Sequence, residues 1–143
     1  MNKILYTLSS ISSIVAMGAI TYGTFLAIYP FKVSDVGQPY KILNPYKQVQ
    51  RGDNLVMEIV YTKYLNVRAA SEQSIICNQG ELTVLPSSAS NLPVGTNRLI
   101  IYLNVPTKTP IGDCIYRQEI EYNVNRFQTQ KKTYLSEPFT VLP

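Results

Sequence analysis

The chain has 143 residues, of which 45% are apolar and 15% are charged, and its formal net charge is +4. This length suits one domain of ordinary size, and the apolar share is high for a small chain with few charged residues. With no His and only two Cys, the sequence excludes a histidine-based triad, a histidine general base and an ordinary zinc site.

The first element in the chain is a long uncharged stretch. Twenty-six consecutive residues, Ile4 to Tyr29, carry no charge. At about 1.5 Å per residue they form a helix of roughly 39 Å, which exceeds the ~30 Å hydrocarbon core of a bilayer. Pro30 ends the helix. We therefore predict a transmembrane signal-anchor helix over 4–30, after a short flank (1–3) and before a linker (31–38).

Both ends of this stretch carry residues typical of a membrane interface, where aromatic rings and long cationic side chains reach the headgroups. The predicted interface anchors are Lys3, Tyr6, Tyr29, Phe31 and Lys32. A cleavable signal peptide is the alternative. Its apolar region has about 7–15 residues and ends at a small-x-small site, whereas the candidate sites here have Met17 or Phe25 at the minus-three position. We therefore expect an uncleaved, single-pass anchor.

Small side chains recur along the stretch at steps of three and four residues, which places them on one face of a helix. This helix-packing stripe consists of Ser9, Ser12, Ala16, Ala19, Gly23 and Ala27. In lipid, small residues let a second helix approach closely, and contact area supplies the attraction. We expect the helix to pack against a second copy or a larger membrane protein, although Ser and Ala are also simply common in membrane helices.

After residue 31 the hydrophobic pattern changes to period two, which is typical of strands with one face on a core. The predicted strands cover 39–43, 53–64, 72–78, 80–86, 96–105, 113–125 and 129–141, with turn residues between them. About seven short strands over 39–143 predict an all-β domain, an immunoglobulin-like or fibronectin type III-like sandwich. A small barrel is the alternative.

The two cysteines fit this arrangement. Cys77 ends the third predicted strand and Cys114 begins the sixth, and in an immunoglobulin-like sheet these two strands are antiparallel neighbours. We therefore expect a disulfide, which would stabilise the domain by roughly 3–4 kcal/mol in the chain-entropy model. Two buried free thiols are the alternative, because Cys is among the most buried residue types.

The two indications of membrane orientation disagree. Lys3 and the α-amine precede the helix, whereas Lys32, Lys41 and Lys47 follow it, so charge alone favours a cytoplasmic C-terminal domain. A disulfide instead implies an oxidising compartment. We give the cysteines more weight, because three lysines before a folded domain are a weak retention signal, and we expect the domain to be periplasmic or extracellular.

No segment predicts catalysis. Arg51, Gly52 and Asp53 spell an integrin-type tripeptide, but they directly precede a strand and are interpreted as a turn. Glu119 and Glu121 share a strand face about 7 Å apart, and nearby charges favour an exposed ladder over an acid/base pair. We therefore expect no enzyme activity, catalytic residue, metal or cofactor.

Neither the basic residues nor the tyrosines predict a specific ligand. Basic residues are scattered, apart from Lys131 and Lys132 with Arg126 nearby, so we expect no nucleic-acid partner, and we expect no small-molecule substrate. Of the eleven Tyr, we expect most to fill the core. Several Tyr exposed on one sheet would mark that sheet as a partner surface.

Four segments resemble a recurrent pattern: Val49–Asp53, Pro110–Asp113, Tyr122–Arg126 and Ser136–Val141. The pattern is similar to that of small phage-encoded membrane proteins, which pair an N-terminal transmembrane helix with an immunoglobulin-like sandwich. The resemblance covers nearly the whole chain. These motifs are turns and a last strand, so they imply a fold and almost nothing about activity. Cys114 departs from the pattern, since the similar proteins more often have Tyr there.

These observations predict a non-enzymatic, single-pass membrane protein whose sandwich is an interaction module or accessory structural subunit. Its expected partners are membrane lipid and either a membrane protein or a second copy bound through the helix. The alternative is a phage-encoded regulator or inhibitor of host membrane machinery, such as a superinfection-exclusion factor.

Overall fold

The computed structural model describes residues 2–78, 80–90 and 92–143, without the side chains of 2–10, 81 and 88–90. The described chain forms one helix, α1 (Asn2–Ile28), followed by strands in two sheets and a short 3-10 turn (Pro45–Lys47). The strands are β1 (Ser34–Val36), β2 (Lys41–Ile42), β3 (Gln48–Gln50), β4 (Asn54–Lys63), β5 (Ala69–Cys77), β6 (Glu81–Ser90), β7 (Gly95–Asn104), β8 (Gly112–Asn125), β9 (Gln128–Leu135) and β10 (Phe139–Leu142).

The N-terminal helix has the length and composition to cross a bilayer. Its 27 residues span about 40 Å at 1.5 Å per residue. The segment Ile11–Ile28 is predominantly apolar and carries no charge, and no residue in it is buried. The helix ends two residues before Pro30, which cannot donate the next backbone hydrogen bond.

The first sheet is built around β4. Strand β7 pairs with β4 in antiparallel fashion along its whole length, from Asn54 opposite Asn104 to Lys63 opposite Gly95. The short strands β1 and β2 share the other side of β4. Strand β7 is therefore an edge of this sheet.

The second sheet is built around β8, the longest of the described strands. Strand β5 pairs with one side of β8, and β6 then pairs with β5 and forms an edge. Strands β9 and β10 follow one another along the other side of β8, and β3 adds to β10 in parallel. The two sheets confirm a mostly β fold after an apolar helix.

The core lies between the sheets and follows the period-two pattern. In β4 the residues Leu55, Met57, Ile59 and Tyr61 are buried, as expected. Most strand tyrosines also fill the core. The buried tyrosines are Tyr40, Tyr61, Tyr116, Tyr122 and Tyr134.

The predicted single strand 129–141 is wrong, because the structure divides it into β9 and β10. Leu135 lies opposite Arg117 and Phe139 lies opposite Cys114, so four steps on one strand match three on the other. Such an extra residue is a bulge, and Pro138 fits there because it has no N–H for the ladder.

Other strand boundaries also differ from the prediction. Strands β1 and β3 were not predicted, β2 covers only two residues of the predicted 39–43, and β5 begins three residues before the predicted 72–78. Strands β1 and β3 are only three residues long and too short to show alternation. The predicted strand 80–86 continues to Ser90 as β6. Pro86 does not end β6, since an edge strand has one side that needs no N–H donor.

Candidate functional site

The junction between α1 and the sandwich is held by side-chain hydrogen bonds. The Asn125 side chain, at the end of β8, donates to the backbone carbonyl of Leu26 at 3.0 Å. The Gln130 side chain, in β9, donates to the carbonyl of Phe31 at 2.8 Å. The last turn of the helix thus lies against the β8–β9 hairpin, and this end of the sandwich is the one next to the helix.

Three of the predicted interface anchors cluster at this junction. The Tyr29 ring lies 4.8 Å from the Phe25 ring and 4.9 Å from the Phe31 ring, centroid to centroid. The Lys32 ammonium lies 2.6 Å from Asp35 and 4.8 Å from the centre of the Tyr64 ring. The side chains of the other two predicted anchors, Lys3 and Tyr6, lie outside the described residues.

Lys32 also has a partner within the protein. Hydrogen bonds from Lys32 and from the Tyr64 hydroxyl lower the pKa of Asp35, so the Asp35 carboxylate is charged at neutral pH. The Lys32–Asp35 pair is exposed and therefore contributes little to stability. Interface anchoring by these residues remains a prediction.

The helix-packing stripe lies on an exposed helix. Ser12, Ala16, Ala19 and Ala27 are exposed and Gly23 is half-buried, while the side chain of Ser9 lies outside the described residues. A Cβ added at Gly23 meets no atom within 4 Å. The described part of the chain contains no second helix to cover the stripe, so helix packing remains a prediction about another molecule.

We expect the double variant Ala19→Ile/Gly23→Ile to weaken helix association at least tenfold, about 1.4 kcal/mol. The larger side chains would separate the two helix backbones and reduce the contact area that holds them in lipid. Size-exclusion chromatography in mild detergent would show the loss of the larger species or of a co-purifying protein.

The matched control is Gly18→Ile/Thr21→Ile. At about 100° per residue, these positions lie opposite the stripe, and a Cβ at Gly18 also meets nothing. This variant should associate like the wild type. Equal behaviour of the two double variants would contradict a packing role for the stripe.

The expected disulfide is present. Cys77 and Cys114 lie directly opposite one another on β5 and β8, with their Cα atoms 4.1 Å apart, and the bridge joins residues 37 apart in sequence. Both cysteines are buried together with Ile75 and Tyr116. The bridge therefore joins the two central strands of the second sheet.

The acidic pair on β8 forms part of an exposed charged ladder, as expected. Arg117 lies 3.4 Å from Glu119, and Lys131 on β9 lies 3.0 Å from Glu121. All four side chains are at least one-third exposed. No group of three potential metal ligands occurs among the described residues.

The Arg51–Asp53 segment is a turn, as predicted. Gly52 has a φ of 89°, a left-handed conformation that favours glycine. Its N–H donates to the carbonyl of Val105 at 2.8 Å. The Arg51 Nε donates to the carbonyl of Thr109 at 2.6 Å. These bonds join the β3–β4 turn to the segment after β7.

The outer surface of the first sheet carries exposed apolar residues. Val60 of β4 and Ile100 and Tyr102 of β7 share this surface and are 45%, 54% and 67% exposed. Beside them Arg98 forms an ion pair with Glu58, and that hydrogen bond lowers the pKa of Glu58. We call these five residues the first-sheet patch. Tyr102 is its only tyrosine, so the exposed-tyrosine criterion is not met.

A cavity of about 380 Å³ lies between the two sheets. Its wall is mainly apolar, and its apolar lining residues include Ile59, Ala69, Leu99, Ile101 and Ile120. We call it the inter-sheet cavity. The sequence analysis did not predict this cavity. Two facing sheets leave a cavity only where their side chains do not fill the space between them, and the pattern along one strand does not give the distance between the sheets.

Polar side chains line part of the inter-sheet cavity. Gln118 accepts a hydrogen bond from the Tyr40 hydroxyl at 2.9 Å and donates to Ser71 at 2.7 Å. Lys63 is buried and donates to the carbonyl of Leu92 at 2.8 Å. In β4 every second residue from Leu55 to Tyr61 points inward, and Lys63 is the next residue in that series. This alternation is the sequence signal that predicts a polar group in the cavity.

No protein-family model matches the chain, and no curated protein matches it. Solved structures with a similar arrangement include a Pseudomonas fluorescens alkylpurine DNA glycosylase AlkC (11% identity, TM-score 0.39, 71% of this chain and 30% of that one). Others are a Niemann-Pick type C2 protein from Japanese carpenter ant (10%, 0.40, 75% and 100%) and a Listeria innocua beta-glucosidase (8%, 0.36, 75% and 16%). At these values the likenesses support no assignment of family or activity.

Proposed function

We propose that this protein is a membrane-anchored, non-enzymatic binding module that serves as an accessory subunit in a membrane-associated assembly. The observation that carries the proposal is the bonded junction between α1 and the β8–β9 hairpin. An exposed apolar helix leads into the sandwich, and two side-chain hydrogen bonds hold its end against that hairpin. The helix inserts in the bilayer and holds the sandwich at the surface.

The short segment between α1 and β1 supports a restricted position of the sandwich relative to the helix. Only residues 29–33 separate α1 from β1, so the chain there is too short to act as a long flexible tether. The β8–β9 end of the sandwich then faces the bilayer, and the outer surfaces of the two sheets face sideways. A sideways surface is the one that a neighbouring membrane protein can contact.

We assign that contact to the first-sheet patch. Exposed aromatic and aliphatic side chains are enriched at protein interfaces, whereas charged residues are depleted from interface cores. The second sheet also exposes Leu82 and Val84 on β6, but its outer surface carries the charged ladder of Arg117, Glu119, Glu121 and Lys131 as well. The occupant we propose is the extramembrane part of the protein against which α1 packs. Because α1 and the sandwich are held together, one partner can contact both.

The same proposal includes two finer assignments. The two sheets of mostly antiparallel strands support an immunoglobulin-like sandwich, as in the small phage membrane proteins that the sequence resembles. The Cys77–Cys114 bridge supports an extracytoplasmic position for the sandwich, since disulfides persist in oxidising compartments.

We expect Ile100→Glu to reduce recovery of the partner at least tenfold after mild detergent extraction. The change puts a carboxylate, which loses solvation on contact, in the middle of the first-sheet patch. Stability should fall by about 1 kcal/mol or less, because the new carboxylate lies directly opposite Glu58 and like charges across a strand pair repel. Affinity purification with quantitative mass spectrometry measures the recovery.

Val84→Glu is the matched control. Val84 lies in β6 of the other sheet and is 68% exposed, so the chemistry and secondary structure are the same. It should leave recovery unchanged. Loss of the partner in Val84→Glu alone would move the contact to the second sheet, and a partner recovered in far less than equal amount would favour the regulator alternative.

A further inference from the structure

The inter-sheet cavity lies in the half of the sandwich nearest to the membrane helix. Its lining includes the first residue of β1 and the last residue of β4, Ser34 and Lys63, and also Tyr122, three residues before the end of β8. Strand β8 ends at Asn125, which is bonded to α1. The cavity is therefore close to the end of the sandwich that the anchor holds at the bilayer.

The size and lining of the cavity suit one short apolar chain. Ligand pockets range over roughly 300–1,000 Å³, and 380 Å³ is near the lower limit. At ~30 Å³ for each water-sized group, it holds about a dozen non-hydrogen atoms. The aliphatic side chains of Ile59, Leu99 and Ile101 line it. A single alkyl chain fits this volume, whereas a phospholipid with two long chains does not.

The cavity also contains hydrogen-bond donors for a polar head group. Tyr61 is only 4% exposed, and its hydroxyl has no hydrogen-bond partner among the described residues. Lys63 lies two residues further along the same face of β4, about 7 Å away. An ammonium has three N–H donors, and Lys63 donates one hydrogen bond to the Leu92 carbonyl. No described carboxylate forms an ion pair with Lys63.

We propose that the inter-sheet cavity binds a single-chain amphipathic carboxylate, a fatty acid of about ten carbons, taken from the adjacent bilayer. The carboxylate accepts hydrogen bonds from the Tyr61 hydroxyl and the Lys63 ammonium, and the chain lies among the aliphatic residues. This ligand pairs a buried cation and satisfies a buried hydroxyl. The inference rests on the membrane anchoring in the proposed function, but it needs no protein partner.

The test uses the full chain in lipid nanodiscs with a diazirine-bearing decanoic acid as the probe. After illumination, adducts are expected on tryptic peptides 52–63 and 99–108, which carry the cavity residues of β4 and β7. Unlabelled decanoic acid should reduce these adducts at least tenfold. Methyl decanoate, which has no negative charge, should compete at least tenfold more weakly.

Two variants test the assigned donors. Tyr61→Phe removes one hydroxyl at nearly constant shape and should lower the yield of cavity adducts at least threefold. Lys63→Met removes the charge while keeping an extended chain and should lower the yield at least tenfold. Tyr116→Phe is the matched control, because Tyr116 is buried but does not line the cavity, and it should label like the wild type.

Any one of three results would overturn the proposal. The first is adducts confined to α1, the second is cavity adducts that decanoic acid does not displace, and the third is equal labelling of Tyr61→Phe and Tyr116→Phe. Circular dichroism confirms that each variant is folded, and Leu99→Phe, which fills the cavity without touching either donor, should also reduce labelling if Lys63→Met does not fold. Ile100→Glu should label normally, so loss of a protein partner is distinguishable from loss of the lipid site.

Discussion

Removal of the Cys77–Cys114 bridge is expected to lower the free energy of unfolding by about 3–4 kcal/mol, measured on the Cys77→Ala/Cys114→Ala variant. In the chain-entropy model the bridge restricts the unfolded chain, and closing a loop of 15 to 100 residues contributes roughly 3 to 4.7 kcal/mol. The separation here is 37 residues. The midpoint of thermal unfolding should fall by on the order of 10–20 °C, as followed by circular dichroism.

The single variants provide the control for this prediction. Cys77→Ala and Cys114→Ala each break the whole bridge, so each should cost nearly as much as the double variant, and the losses should not add. Reductant added to the wild type should reproduce most of the effect. A loss below about 1 kcal/mol in the double variant would contradict the assigned role of the bridge.

This result also bears on the compartment. The stability that depends on the bridge is available only where the thiols are oxidised. Alkylation of the protein in intact cells, followed by mass measurement, reports whether Cys77 and Cys114 are bridged there. Two alkylated thiols would contradict the extracytoplasmic position in the proposal.

The substitution Gln118→Leu is expected to cost about 2–4 kcal/mol of folding free energy. Gln118 is buried between the sheets and bonds both the Tyr40 hydroxyl and the Ser71 hydroxyl. Leu is similar in size but leaves both hydroxyls without this partner, and each unsatisfied buried group costs about 1–3 kcal/mol. Burial raises the pKa of Tyr40, so its hydroxyl stays protonated as the donor through neutral pH.

A double-mutant cycle tests this explanation. Tyr40→Phe/Gln118→Leu removes both ends of one hydrogen bond and should be at least 1 kcal/mol more stable than the sum of the two single losses predicts. Urea unfolding of the four proteins measures the coupling. Strictly additive losses would mean that Gln118 acts by packing alone and not through the Tyr40 hydroxyl.

The period-two pattern was most informative where a strand is long and has one face in the core. Strands β4 and β8 were predicted within one residue at each end, because ten or more alternating residues leave only one register that buries the apolar face. The same alternation placed Cys77 and Cys114 on the inward face. Their pairing was predicted from the expected adjacency of these two strands in an immunoglobulin-like sheet, and the structure places the strands side by side.

Short strands and the division of the last strand were not predictable in this way. Strands β1 and β3 form because β4 and β10 present unpaired backbone groups to them. The break at Pro138 reflects a bulge against β8, which is a property of the pair and not of one strand. Partner strands far away in sequence decided both features.

By itself, the sequence determined an apolar helix, a β-rich domain and the cysteine pairing, because each depends on a local periodicity or on a small number of reactive residues. Only the tertiary structure decided that the end of α1 is bonded to Asn125, that Ile100 and Tyr102 are exposed together, and that the sheets enclose a cavity beside Tyr61 and Lys63. These features depend on the distance and angle between distant segments, and a pattern along one strand carries no information about either.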